Sequence, residues 1–174
     1  MTHRRLALFA TAAAGLLAAT VSSAAPPTSA YVDPYVARPR IVVLTDIANE
    51  PDDQMSMVRF LVYSNQFDVE GLVATTSTWM RNRVRPDVIN SVIDAYAEVR
   101  PNLLKHQPGF PETATLKALV VSGQPAYGMD AVGPTLQSAG SDLILQAAGR
   151  SDPRPLWITC WGGTNTLAQA LLTA

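Results

Sequence analysis

The chain of 174 residues is poor in the side chains that bind transition metals or form disulfides. It has one cysteine, Cys160, so no disulfide can form within it, and its two histidines are His3 and His106. A zinc site built from nitrogen and sulfur ligands therefore has hardly any candidates. Cys160 lies in an apolar run at residues 156–161, where we expect a small buried side chain rather than a nucleophile.

The sequence also lacks an excess of charge of either sign. Its 13 basic and 14 acidic residues give a formal net charge of −1. No strong positive field is available to attract a nucleic-acid polymer, so we expect no such partner. With 48% hydrophobic and 16% charged residues, the chain has the composition of a globular protein, and its length suggests one domain.

The N-terminus has the features of an export signal. A positive start containing Arg4 and Arg5 precedes an apolar stretch at residues 6–21, and small residues precede a preferred cleavage point after Ala30. The stretch is too short and too rich in alanine for a membrane span. We therefore expect a signal peptide over residues 1–30 and a secreted or periplasmic protein. The Sec route is expected, and the paired arginines leave the twin-arginine route open.

Patterns of apolar residues predict an α/β fold after a proline-rich linker at residues 31–39. Short β-branched runs predict three buried strands, at residues 40–45, 67–75 and 156–161. Helical spacing and cap signals predict five helices. The first covers residues 52–64, with Met55, Val58, Leu61 and Val62 on its apolar face, and the second covers residues 88–99 and stops at Pro101. The others lie at residues 113–121, from Ser141 to about Gly149, and from Thr164 onward.

The alternation of strands and helices favours an open, mostly parallel sheet with helices on both faces, formed by residues 40–174. The last helix carries no stop signal, so we expect the natural protein to continue beyond Ala174. On this interpretation, the chain is the N-terminal half of a larger domain.

Three loops follow the predicted strands, at residues 46–53, 75–82 and 161–164. In an open parallel sheet, ligands bind beyond the carboxyl ends of the strands, so these loops are the candidate site. Trp79 in the second loop is equally well explained by stacking on a sugar or base and by local packing.

The first of these loops holds four carboxylates within eight residues, namely Asp46, Glu50, Asp52 and Asp53. Such a cluster is self-repelling unless a cation or a helix N-terminus compensates it. One interpretation is structural, with Asp52 capping the helix and Asp53 interacting with its dipole. The other is a cation site, for which hard oxygen ligands favour calcium or magnesium. The local spacing alone supports both interpretations equally.

The three loops together resemble the nucleoside hydrolase superfamily that prefers inosine and uridine. The similar segments are TDIANEPDD at residues 45–53, EGLVATTST at residues 70–78 and WGGTNTLA at residues 161–168. The sequences of these segments most resemble those of an exported bacterial branch that is sometimes described as cellulose-binding. The resemblance covers residues 40–174.

This resemblance implies a role for five residues. Asp46 would bind calcium and act as the base that deprotonates the attacking water. Asp53 would bind calcium, Asp52 would accept hydrogen bonds from sugar hydroxyls, and Thr78 would contact the sugar. Thr164 would give its backbone carbonyl to the metal.

The sequence departs from the family pattern at Leu44, where an aspartate is usual, and in a longer loop between Asp46 and Asp52. The family's last metal-binding aspartate and a histidine near the leaving group belong to a C-terminal half that this chain lacks, so we expect no activity from the chain alone.

Two functions therefore stay open. The first is hydrolysis of an N-glycosyl bond by calcium-activated water, and the alternative is non-catalytic binding of a carbohydrate such as cellulose. The expected partner is a sugar-containing small molecule or a polysaccharide. A purely structural domain, whose carboxylates only cap a helix, is a third possibility.

Overall fold

The computed structural model of the chain describes residues 38–174. The predicted signal peptide and most of the predicted linker lie outside the described residues. Among residues 38–174, four strands form one parallel sheet in the order β3-β2-β1-β4. They are β1 Arg40–Thr45, β2 Asp68–Ala74, β3 Val120–Ser122 and β4 Leu156–Cys160. The α/β class and the parallel sheet predicted from the sequence are confirmed.

Within the described part of the chain, five α-helices connect and flank the strands. They are α1 Pro51–Val62, α2 Pro86–His106, α3 Thr113–Ala118, α4 Ala139–Ala148 and α5 Asn165–Thr173. Helices α1, α2 and α3 pack on one face of the sheet, in a core that contains Ile41 and Val43 of β1. Helices α4 and α5 pack on the other face against Val42 and Leu44. All six residues of β1 are buried, as a central strand of this architecture requires.

The strand β3 was missed by the sequence prediction, which placed residues 113–121 in a helix. The structure ends α3 at Ala118, and Val120 and Val121 pair with Leu72 and Val73 of β2. A strand of three residues is too short to show an alternating pattern, so only its pairing with β2 defines it.

The apolar face predicted for α1 was right for Leu61, which is 1% exposed, but wrong for Met55 and Val58. Met55 and Val58 are 66% and 52% exposed, whereas Met57 and Phe60 face the core. Both pairs have helical spacing, so the pattern alone could not choose between them. The buried set starts at Asp53, whose side chain is hydrogen-bonded to Thr45, and this bond orients the helix toward the sheet.

Helix α2 does not stop at Pro101, as predicted, but continues to His106. Proline lacks one backbone N–H, and this loss is tolerated where tertiary contacts hold the helix. Such contacts exist on both sides of Pro101. Leu103 packs against the core, and the Arg100 guanidinium donates hydrogen bonds to the carbonyls of Phe110 and Pro111 at 3.0 and 2.8 Å.

Helix α4 is capped by Ser138 rather than by Ser141. The Ser141 N–H donates to Ser138 Oγ at 3.2 Å, and the Ser138 N–H donates to Ser141 Oγ at 2.8 Å. The two serines therefore form a reciprocal capping box, and the helix begins earlier than the prediction placed it.

Strand β4 is only partly buried, because among residues 38–174 it pairs with β1 alone. Trp157 is 54% exposed. Cys160 is also exposed, so the expectation of a buried cysteine was wrong. No helix within the described part of the chain is long and apolar enough to cross a membrane.

Candidate functional site

A cavity of about 290 Å³ opens at the carboxyl ends of β1, β2 and β4. All three loops that the sequence singled out contribute to it, as the topology of a parallel sheet requires. Its lining consists of Asp46, Asn49, Glu50, Asp52 and Asp53 from the first loop, Ser77, Thr78 and Trp79 from the second, Trp161, Gly162 and Gly163 from the third, and Tyr127.

The acidic side chains divide into a buried pair and an exposed pair. Asp46 and Asp53 are 8% and 7% exposed. Glu50 and Asp52 are exposed at the same cavity. Glu50 is the N-cap residue of α1, and neither it nor Asp52 provides a side-chain cap. The interpretation of Asp52 as a helix cap is therefore wrong, which leaves its carboxylate free for a ligand.

The buried pair is fixed by the end of β1. The Thr45 hydroxyl donates to Asp53 Oδ2 at 2.5 Å, and the Ile47 N–H donates to Thr45 Oγ1 at 3.1 Å. These bonds hold the first turn of α1 against the strand, so that Asp53 lies beside Asp46.

Burial is the main cause that raises the pKa of Asp53, to about 6. The hydrogen bond from Thr45 lowers this pKa, whereas a hydrogen bond with Asp46 and the charges of Asp46 and Asp52 raise it further. Within residues 38–174, no lysine or arginine forms an ion pair with Asp46 or Asp53. The pair is thus a largely buried concentration of acidic groups that no basic side chain of these residues neutralises.

The third loop closes over this pair through its glycines. A Cβ added to Gly162 would lie 2.8 Å from the backbone nitrogen, Cβ and Oδ1 of Asp46, so only glycine fits there. The backbone ties the loop to its neighbours, since the Trp161 N–H donates to Leu44 O at 2.8 Å and the Gly163 N–H donates to Thr76 O at 2.9 Å.

The remaining predicted site residues take different positions. Thr78 is exposed and lines the cavity. Thr164 is exposed and lines a neighbouring cavity of about 310 Å³, which also contains Gly162 and Gly163. The Thr164 carbonyl accepts a hydrogen bond from the Ala168 N–H at 2.9 Å. Its predicted role as a metal ligand stays a prediction.

One lining residue, Tyr127, lies outside the three loops that the sequence singled out. Tyr127 is distant in sequence from the three loops, and tertiary contacts with Arg81 bring it to the cavity. Its N–H donates to Arg81 O at 2.8 Å, and the Arg81 guanidinium lies 4.8 Å from the centre of its ring. The Asn165 side-chain amide donates a hydrogen bond to the carbonyl of Ala126, the residue before Tyr127, at 2.7 Å.

The parallel sheet and the acidic cavity at its carboxyl end define an α/β domain with a ligand site where the strands end. The family model described as "Cellulose-binding Sde182, nucleoside hydrolase-like domain" matches residues 40–174. The chain belongs to this family, and the resemblance inferred from its three loops is confirmed.

Among solved structures, the chain is similar to a nucleoside hydrolase-related hypothetical protein from Saccharophagus degradans that is described as associated with carbohydrate metabolism. The two are 45% identical, with a TM-score of 0.76. The match covers 78% of this chain and 33% of the other, so this chain spans about a third of the length of that relative. A search of curated proteins found no match.

Proposed function

We propose that the cavity binds a carbohydrate through its hydroxyl groups. The observation that carries this proposal is the concentration of four carboxylates on one cavity, two of them buried and none serving as a helix cap. Ionised carboxylates accept hydrogen bonds, and the hydroxyls of a sugar can donate to them. The names of the family and of the Saccharophagus relative, which refer to cellulose and to carbohydrate metabolism, support the same ligand class.

We also propose that Asp46 and Asp53 hold a calcium ion. Buried carboxylates without a basic partner are expected to bind a metal or a proton, and oxygen ligands suit calcium. Within residues 38–174, no group of three or more His, Cys, Asp or Glu side chains is placed to hold a metal. The pair would therefore supply two carboxylates, and carbonyls, water or sugar hydroxyls would complete the shell. When bound, the ion would neutralise the pair and acidify a bound water.

Calorimetric titration of the full gene product with calcium tests the metal site. Wild-type protein should bind one ion, and Asp46→Asn should weaken binding at least tenfold. Asp94→Asn is the matched control, because Asp94 is 61% exposed on α2 and pairs with Lys117. Absence of calcium binding by the wild type would remove the metal from the proposal.

Retention on cellulose, compared with retention on a matrix that contains no sugar, tests the carbohydrate site. Retention should fall for Asp52→Ala and for Asp46→Asn, and stay unchanged for Asp94→Asn. Equal retention of all four proteins, or no retention of the wild type on any polysaccharide, would overturn carbohydrate binding at this cavity.

Hydrolysis of an N-glycosyl bond is the second candidate, and the raised pKa of Asp53 beside Asp46 favours it. In this mechanism Asp46 takes the proton of the attacking water, Asp52 and Thr78 orient the sugar, and the surrounding carboxylates stabilise positive charge at the anomeric carbon. Release of base or sugar from nucleosides and related glycosides is the assay. Turnover that persists in Asp46→Asn would exclude this mechanism, and no turnover by calcium-loaded protein would leave binding as the function.

We further propose that the protein is exported, on the pattern of residues 1–30. N-terminal sequencing of mature protein from the secreted or periplasmic fraction should begin at Tyr31. Retention of the first 30 residues in the purified cellular protein would contradict export.

A further inference from the structure

Trp79 lies at the mouth of the cavity with 77% of its surface exposed. Its neighbour Met80 is buried, with 4% exposed. Local packing therefore does not explain Trp79, since the chain buries the smaller apolar side chain and leaves the larger one in water. An exposed tryptophan on a concave polar site is an unusual use of the largest apolar side chain.

The backbone beneath Trp79 is held in a defined turn. Ser77 Oγ accepts hydrogen bonds from the N–H groups of Trp79 and Met80 at 3.2 and 3.0 Å. The Ser77 N–H donates to Met80 O at 3.0 Å, and Ser77 itself is buried. The turn thus has three internal hydrogen bonds and a buried residue on each side of Trp79. Because its backbone is already ordered, binding of a ligand to the indole costs little backbone conformational entropy.

The other two aromatic residues of the cavity are already engaged. The Tyr127 ring packs under the Arg81 guanidinium, and Trp161 packs edge-on against Phe60 with ring centres 6.3 Å apart. Trp161 is also partly buried against the core. Among the described residues that line the cavity, Trp79 is thus the aromatic side chain with a largely exposed ring.

We propose that Trp79 is a stacking platform for a pyranose ring of the bound carbohydrate, an assignment that rests on the proposed carbohydrate-binding function. A pyranose has hydroxyls around its edge and apolar C–H groups on its faces. The carboxylates of the cavity accept from the edge, while the indole covers a face and removes apolar surface of both partners from water. The two kinds of contact together match a sugar better than either alone.

A nucleobase is the other planar or apolar group that stacks on tryptophan. Recognition of a base usually sandwiches it between two side chains and reads its edge with both donors and acceptors. Here one free ring, rather than two, faces a cavity rich in carboxylate acceptors, and this chemistry favours a sugar ring with many hydroxyl donors.

Calorimetric titration of the full gene product with cellohexaose tests the platform. Trp79→Ala should weaken affinity about tenfold, the size expected for the loss of one aromatic stacking partner. Trp79→Phe should recover most of the affinity. The matched control is Trp157→Ala, which removes a 54% exposed tryptophan of β4 that does not line the cavity, and it should leave affinity unchanged.

The outcomes distinguish failure of the Trp79 platform from failure of the proposed carbohydrate-binding function. If the wild type binds cellohexaose and Trp79→Ala binds equally well, the platform is overturned and the carbohydrate site stands. If the wild type binds neither cellohexaose nor cellulose, the proposed function fails and the platform with it. If Trp79→Ala loses affinity for inosine but keeps that for cellohexaose, the ring stacks on a base, which overturns the sugar assignment. An unchanged melting temperature shows that Trp79→Ala is folded.

Discussion

The hydroxyl of Thr45, the last residue of β1, donates a hydrogen bond to Oδ2 of Asp53 in the first turn of α1. This bond joins the central strand to the helix that follows it, and it lies on the face of the helix that meets the sheet. It also places the Asp53 carboxylate in the cavity beside Asp46. One short contact therefore contributes both to the packing of α1 and to the position of a predicted ligand.

Thr45→Val keeps the shape of the side chain and removes the donor. Because a hydrogen bond to a charged group contributes about 1.5–3 kcal/mol, we expect the free energy of unfolding to fall by about 2 kcal/mol. The pKa of Asp53 should rise further, since the bond from Thr45 lowers it. Urea denaturation measures the stability. Thr173→Val, which removes a hydroxyl that donates to the carbonyls of Gln169 and Ala170 within α5, is the control and should cost less than about 0.5 kcal/mol.

Asp53→Asn should stabilise the metal-free protein at neutral pH. The folded state raises the pKa of this carboxyl from 3.8 to about 6, so folding opposes its ionisation. The group is neutral in both states well below pH 4, and its cost to stability develops as the pH rises through the folded pKa. Removing the charge should therefore raise the free energy of unfolding by about 1–3 kcal/mol at pH 7.5.

The measurement for Asp53→Asn is thermal unfolding in the presence of a chelator at pH 7.5 and at pH 4. The melting temperature of the variant should exceed that of the wild type at pH 7.5, and the difference should shrink at pH 4. Calcium should stabilise the wild type and have no effect on the variant. A lower melting temperature of the variant at pH 7.5 would show that the pair is not repulsive in the folded state.

The sequence predicted the positions of the central elements better than their details. Strand β1 and the loops after three strands follow from runs of apolar residues and from the rule that parallel strands end at one edge. The rotation of α1 does not, because two apolar stripes fit the helical period and the choice between them depends on tertiary contacts such as the bond between Thr45 and Asp53. Tyr127 was also inaccessible to prediction, since its place depends on hydrogen bonds between distant loops.

The opposite end of the sheet holds a buried ion pair that we expect to be important for stability. Arg40 Nε lies 2.5 Å from Glu70 Oε1, and the two side chains are 2% and 4% exposed. Glu70→Ala leaves the buried Arg40 charge with backbone carbonyls and the Asp152 carboxylate at 3.9 Å, so we expect a loss of about 3 kcal/mol in the free energy of unfolding, at the lower end for a buried pair. Chemical denaturation measures this loss.

Glu112→Ala is the matched control for that change, because Glu112 also pairs with an arginine, Arg100, but is 69% exposed. It should cost less than about 1 kcal/mol. Similar losses for the two variants would mean that solvent reaches the pair of Arg40 and Glu70 in solution.

Gly162→Ala tests the close approach of the third loop to the acidic pair. The added methyl group would lie 2.8 Å from three atoms of Asp46, one of them in the backbone, so the loop or the aspartate must move. Overpacking of this kind costs about 1–3 kcal/mol, and here the displacement falls on a proposed calcium ligand. We therefore expect lower stability together with at least tenfold weaker calcium binding, measured by denaturation and calorimetry. Gly133→Ala is the control, because the atom nearest to its added methyl group is the flexible end of the Leu136 side chain, at 3.3 Å. This control variant should bind calcium as the wild type does. Normal calcium affinity in Gly162→Ala would mean that Asp46 does not bind the ion in the position that the structure shows.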